Sequence, residues 1–447
     1  LPLQRPQAEQ AAIRSWEDPM SAPSRRTLLR SLAAAATLPA LPRASRAQAV
    51  RPRITLISQW SAGSDGAAMT KLGKLFEEHG GQFEHNPVPG FTTEMMNKLR
   101  AEILAGNPPA CSQLKGPEIA AWSRIAPTVN LNDVVREANY EAVVAPELAR
   151  LHKPGGNWAA LPLQVYRINT LFASKKAMEK VGAAELPKTW AEFNALAEKM
   201  KAAGIIPVAN GGIRWDDGMK FEIALGGISP EAYRKAIMEL DDRALKGPEV
   251  IAAFRQTRRL SEWLEPTIAG RHYSTVLPKF ISGDAGLLLM GGWAQGVIRH
   301  LGHQDSDYIL GPAPQDNGKP AFILNADALI FWQRREPEFR AGQQLLAKLV
   351  MQPETQTMYS QTTGSIPVRT DINLAGEGWS DGQRNAAEGL TASVRGNQVM
   401  LSLAHNMAQT NQITAGMIEV LTEFVHNRSV TPEQAARRLA DAVEAAR

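Results

Sequence analysis

Three tryptophans stand where strands give way to loops. Trp60 closes the run 54–59, Trp215 lies in Gly211-Gly212-Ile213-Arg214-Trp215-Asp216-Asp217, and Trp293 follows Gly291-Gly292. A flat indole can cover the apolar C–H face of a sugar ring, while charged and amide groups bond the hydroxyls at the ring's edge. Asp65, Gln113, Lys115, Asn325, Asp327 and His405 sit at strand ends or in loops and could supply that edge. Each residue alone also fits an ordinary role. A Trp is commonly core, Asp65 suits a helix cap, and Lys115 suits an exposed surface. The pattern as a whole favours a binding site.

Other chemistry leaves less trace. The chain has no G-x-S-x-G elbow, H-E-x-x-H, Walker loop or G-x-G-x-x-G fingerprint. Its eight histidines are scattered, with no i, i+4 pair suited to a metal. Carboxylates are plentiful, so a two-carboxylate glycosidase stays open as an alternative. No metal or cofactor is expected. The lone Cys111 cannot form an internal disulfide and reads as a small buried hydrophobe.

The elements that must position these residues alternate. A strand over 54–58, the polar loop 61–66 and a helix over 67–79 open an α/β unit, with Ser64 and Asp65 placed to cap the helix. A second helix spans 92–105 and stops at Gly106-Asn107-Pro108-Pro109. Strands follow over 110–114, 205–209 and 285–290, with long extended runs over 161–169 and 321–332. Thr189-Trp190-Ala191-Glu192 is a capping box opening a helix to 203. Helices over 293–301 and 431–447 complete the reading. This rhythm over about 400 residues predicts two α/β domains with a ligand between them.

The 447 residues carry a net charge of +4, but its source is local. Residues 1–49 hold seven Arg and three acids; the remainder holds 42 basic and 42 acidic side chains. A neutral body lacks the basic footprint of a nucleic-acid binder. Ser24-Arg25-Arg26-Thr27-Leu28-Leu29-Arg30 matches the twin-arginine export pattern. An Ala-rich apolar run, 31–41, and the small-x-small site Ala47-Gln48-Ala49 follow. That run is too short to span a bilayer about 30 Å thick. Cleavage is expected before Val50, and 1–19, upstream of Met20, is read as an extension outside the fold.

Several blocks carry a family resemblance: 105–109 through 113–119, 161–169, Met290-Gly291-Gly292-Trp293-Ala294, 364–369 and 402–408. The body resembles the family 1 extracellular solute-binding proteins, most closely the glucose/mannose-type periplasmic binding proteins of ATP-binding-cassette importers. The resemblance implies an α/β, two-lobed, type II periplasmic-binding-protein clamp with three interlobe crossings. It places 50–165 with 322–365 in one lobe and 166–321 with 366–447 in the other, after a leader of 1–49. It implies stacking by Trp60, beside Gln59, and by Trp293. It also implies ligand hydrogen bonds from Asp65, where Glu is usual, and from Gln113, Lys115, Asn325, Asp327 and His405. Where the family often has a ligand-binding Lys, this chain has Thr363. A buried site rejects a ligand that leaves polar groups unpaired, so these departures imply a sugar-like ligand rather than glucose specifically.

The expected protein is therefore a periplasmic, monomeric binder of a small carbohydrate. It would deliver its ligand to the importer's membrane permease subunits without chemistry or nucleic acid. An exported carbohydrate-active enzyme is the rival reading, and a polyol or a phosphorylated small molecule the rival ligand.

Overall fold

Ile54 and Leu56 enter one core and Ile57 the core on the opposite face. That is the period-two signature of a strand buried on both sides. The computed structural model describes residues 50–89, 92–318 and 321–447. The export motif and cleavage site lie outside the described residues.

The first sheet collects β1 (Arg53–Ser58), β2 (Gln82–Pro87), β3 (Cys111–Leu114) and β4 (Ala160–Arg167). The chain then builds a second sheet from β5 (Thr170–Ser174), β6 (Ile206–Val208), β7 (Ala285–Met290) and β8 (Tyr308–Pro312). It returns to the first sheet as β9 (Phe322–Phe331) and β10 (Val399–Leu401). In the first sheet β1 runs parallel to β2 and β3, while β9 is antiparallel to β3 and β4 and parallel to β10. The second sheet has the order β6-β7-β5-β8.

Three passages join the sheets: between Arg167 and Thr170, between Pro312 and Phe322, and after Leu401. Asn169 pins the first two together. Its Nδ2 donates to the Ala321 carbonyl at 2.9 Å, and its Oδ1 accepts from Ile323 N at 2.8 Å. The third passage comes late. Ile366 bridges Val165, Arg369 bridges Val144, and β10 pairs with β9, so the chain stays with the first sheet through Leu401.

Local sequence rules explain most boundaries. The Trp190–Ala202 helix starts at the Thr189–Glu192 capping box, and the Pro432–Ala446 helix at a Thr431–Gln434 box. Cys111 is wholly buried. Two expectations fail. The first helix spans Gly63–Glu78, beginning where the Ala62 carbonyl accepts from Gly66 N. Ser64 and Asp65 therefore lie inside its first turn, and neither caps it. Trp215 is also helical, in Arg214–Ile228, where Asp216 and Asp217 pair with Lys220 at i+4 and i+3.

Candidate functional site

β9 lays the polar floor. Asn325 and Asp327 are two residues apart and share a face. Their partners across β4 are Tyr166 and Gln164. Asp327 collects three donors: Gln113 Nε2 at 3.0 Å, Lys115 Nζ at 3.1 Å and Gln164 Nε2 at 3.2 Å. Lys115 also reaches Asn325 Oδ1 at 3.4 Å. The Tyr166 hydroxyl donates to Gln164 Oε1 at 2.9 Å, and the Gln59 backbone N–H donates to Gln113 Oε1 at 3.0 Å. Burial pushes the Asp327 carboxyl up, but Lys115 and the two amides outweigh it and hold the group below its ordinary value.

Asp65 faces this floor from the first turn of its helix. The residue is half-buried, yet its Oδ1 is sealed from solvent and has no partner. Burial first, then the charge of Asp327, pushes its carboxyl up to about 7, against the pull of Gln164, Lys115 and Tyr166.

An aromatic wall stands opposite. Trp293 opens the Trp293–His300 helix, and its ring folds back over Gly291, where a Cβ would sit 2.0 Å from the indole. The ring meets Tyr166 edge-on at 5.4 Å, His405 at 5.0 Å and Trp215 at 6.2 Å. Trp215 adds His405 at 5.7 Å, His272 at 5.8 Å and Tyr273 at 6.3 Å. In the helix that carries Trp215, Lys220 Nζ binds Asp216, Asp217 and the carbonyl of the buried Gly211, with all three charged side chains wholly out of solvent. This cluster ties the turn before Trp215 to its helix.

One glycine brings floor and wall together. Gly116 has φ +57°, and a Cβ there would lie 2.2 Å from the Asn406 carbonyl oxygen. Only glycine accepts both conditions. The chain after Lys115 therefore lies directly against the turn that carries His405.

The structure thus joins Gln113, Lys115, Asn325 and Asp327 in one network with Asp65 beside it, and Trp215, Trp293 and His405 in one wall. Gln59 lines a small recess with Gln113, Lys115 and Asn406. Trp60 is only 4% exposed and packs in the first core, edge-on to Tyr359 at 6.4 Å. Thr363 is wholly buried, with its hydroxyl bonded to the Tyr359 carbonyl and to Ser365. Sequence reasoning missed Gln164, Tyr166, His272 and Tyr273. Gln164 and Tyr166 had a signal, being polar-tipped residues at i, i+2 in an apolar strand. His272 and Tyr273 had none. No group of His, Cys, Asp and Glu suited to a metal occurs among the described residues.

Two sheets bridged three times, with an aromatic wall over a polar floor at the bridge, define a clamp for a small polar solute. Residues 71–386 match the family described as bacterial extracellular solute-binding protein, and the chain belongs to that family. It is 30% identical over 410 residues to a probable sugar-binding periplasmic protein of Rhizobium meliloti (strain 1021), spanning 91% of this chain and 97% of that one. A probable sugar-binding periplasmic protein of Brucella suis biovar 1 (strain 1330) is 30% identical over 400 residues, 89% of this chain and 93% of the relative. Among solved structures, a chitin oligosaccharide binding protein superposes with a TM-score of 0.74 at 20% identity, covering 89% of this chain and 99% of that one. The fold is the type II periplasmic-binding-protein clamp. The family and these relatives are binding proteins.

Proposed function

We propose that this protein captures a small carbohydrate in the periplasm and hands it to an ATP-binding-cassette importer, without catalysing a reaction. The observation that carries the reading is the pairing of flat rings, Trp215 and Trp293, with the hydrogen-bonding floor of Gln113, Lys115, Asn325 and Asp327. Rings stack on the apolar faces of a pyranose, and the floor and His405 bond its hydroxyls. Asp65 supplies a further edge contact from the first lobe. The names of the relatives in Rhizobium meliloti and Brucella suis support the same ligand class.

Capture proceeds by closure of two lobes, one around each sheet, hinged at the three passages. The second lobe is 166–321 with the C-terminal helices. Its return is drawn after Leu401 rather than at 365/366, because β10 pairs with β9. The protein is exported by its twin-arginine leader and works as a monomer.

A thermal-shift screen over monosaccharides, oligosaccharides, polyols and organic acids tests the ligand class. Sugars are expected to raise the unfolding temperature by mass action. Stabilisation by a polyol or a phosphate ester alone would move the ligand class, and turnover of a glycoside would restore the enzyme reading.

A further inference from the structure

Glu222 is wholly buried in the Arg214–Ile228 helix, seven residues after Trp215, and faces no Lys or Arg at ion-pair distance among the described residues. Its carboxylate is met instead by donors from the turn after β10. Oε2 accepts from Leu403 N at 2.7 Å and Ala404 N at 3.4 Å, and shares the Tyr233 hydroxyl, 2.9 Å away, with the Leu401 carbonyl. Oε1 accepts from Ser402 Oγ at 2.8 Å. Backbone N–H groups can only donate, so the carboxylate meets them as an acceptor. Two backbone amides and two hydroxyls thus aim their donors at this one side chain.

Ser402 has one hydroxyl proton, and its bond to Glu222 Oε1 uses it. Yet Ser402 Oγ also lies 2.9 Å from His405 Nδ1. With the hydroxyl proton committed to Glu222, that second bond needs its proton from the imidazole. The ring must then carry hydrogen on Nδ1. Burial, the first cause, together with Lys115, disfavours a second proton, against the pull of Glu222 and Asp327; the net shift is downward. A neutral ring protonated at Nδ1 has a bare lone pair on Nε2.

We infer that Glu222, acting through Ser402, is a positioning residue that fixes His405 as the Nδ1–H tautomer and so makes Nε2 a hydrogen-bond acceptor for the ligand. Such a site selects a hydroxyl or amine that donates at that point, over an ether oxygen or fluorine that only accepts. Which ligand profits rests on the carbohydrate reading of the cleft; the tautomer does not. The same geometry argues against a hydrolase built on these three side chains. In a nucleophilic triad the hydroxyl gives its proton to the imidazole. Here Ser402 is wholly buried and gives it to the carboxylate.

Long-range proton–nitrogen correlation spectra of [15N]histidine-labelled full-length protein at pH 8 test the inference. His405 is assigned by the signal missing from His405→Gln. In the parent, Nδ1 is expected to be pyrrole-type and Nε2 pyridine-type, with at least about a tenfold preference, the ratio that one net hydrogen bond of about 1.4 kcal/mol supports. Glu222→Gln should reverse the pattern. The Leu403 and Ala404 amides hold the new amide oxygen, its NH2 turns to Ser402 Oγ, and the serine proton is released to Nδ1. A pyridine-type Nδ1 or a doubly protonated ring in the parent would overturn the inference, as would an unchanged pattern in folded Glu222→Gln. The parent spectrum decides alone if that variant does not fold. No ligand is needed, so an empty sugar screen would sink the carbohydrate reading and leave this one standing.

Discussion

Lys115 Nζ lies 3.1 Å from Asp327 Oδ1, with the two side chains 10% and 6% exposed. The pair sits where β3 and β9 meet, and the amides of Gln113 and Gln164 complete the shell of the carboxylate. Removing one partner of a buried, hydrogen-bonded ion pair strands the other, at a cost of about 3–5 kcal/mol. Asp327→Ala should lose that much unfolding free energy in urea and should abolish binding. Equal stability of parent and variant would show that the ammonium finds water instead.

Asp65 links stability to pH. Its folded carboxyl is raised from an ordinary 3.8 to about 7, so between those values the native state binds more protons than the unfolded chain. Stability contributed by this group therefore falls as pH rises from about 4 to about 7 and levels above it. Asp65→Asn should remove that slope. Parallel pH–stability curves for parent and variant would mean that Asp65 ionises normally.

The tryptophans should divide by role. Trp215→Ala and Trp293→Ala should each weaken the best ligand of the screen by about 2 kcal/mol, roughly thirtyfold by calorimetry. Trp60, packed in the first core, should cost mainly stability on truncation, about 3–5 kcal/mol. Parent-like affinity in both wall variants would place the ligand elsewhere.

Lys220 offers a test of positioning away from the ligand. Lys220→Ala leaves Asp216 and Asp217 buried without their shared cation, again worth about 3–5 kcal/mol. Lys220→Met should restore part of the packing but not the charge. The loss should appear in chemical unfolding and in altered Trp215 fluorescence; an unchanged spectrum would refute the tie between cluster and indole.

The leader is tested in cells. Arg25→Lys together with Arg26→Lys should leave the precursor in the cytoplasm. Normal periplasmic accumulation of the double variant would remove the twin-arginine assignment.

Much of the architecture is local in origin and was legible. The capping box at Thr189, the apolar run of β7 and the stop at Gly106 act through neighbours a few residues away, so their elements appear where the residues place them. Asn325 and Asp327 were legible as polar residues in the extended run 321–332, and strand alternation puts them on one face. What they touch was not legible. Register across β9 decides that Gln164 opposes Asp327 and Tyr166 opposes Asn325, and register depends on a pairing that closes only when the chain returns after more than 150 residues. The same holds for Glu222, whose carboxylate finds Ser402 180 residues away. Propensity chose the strands and helices; long-range packing chose which polar atoms would meet, because a buried donor or acceptor is stable only beside the partner that the fold brings to it.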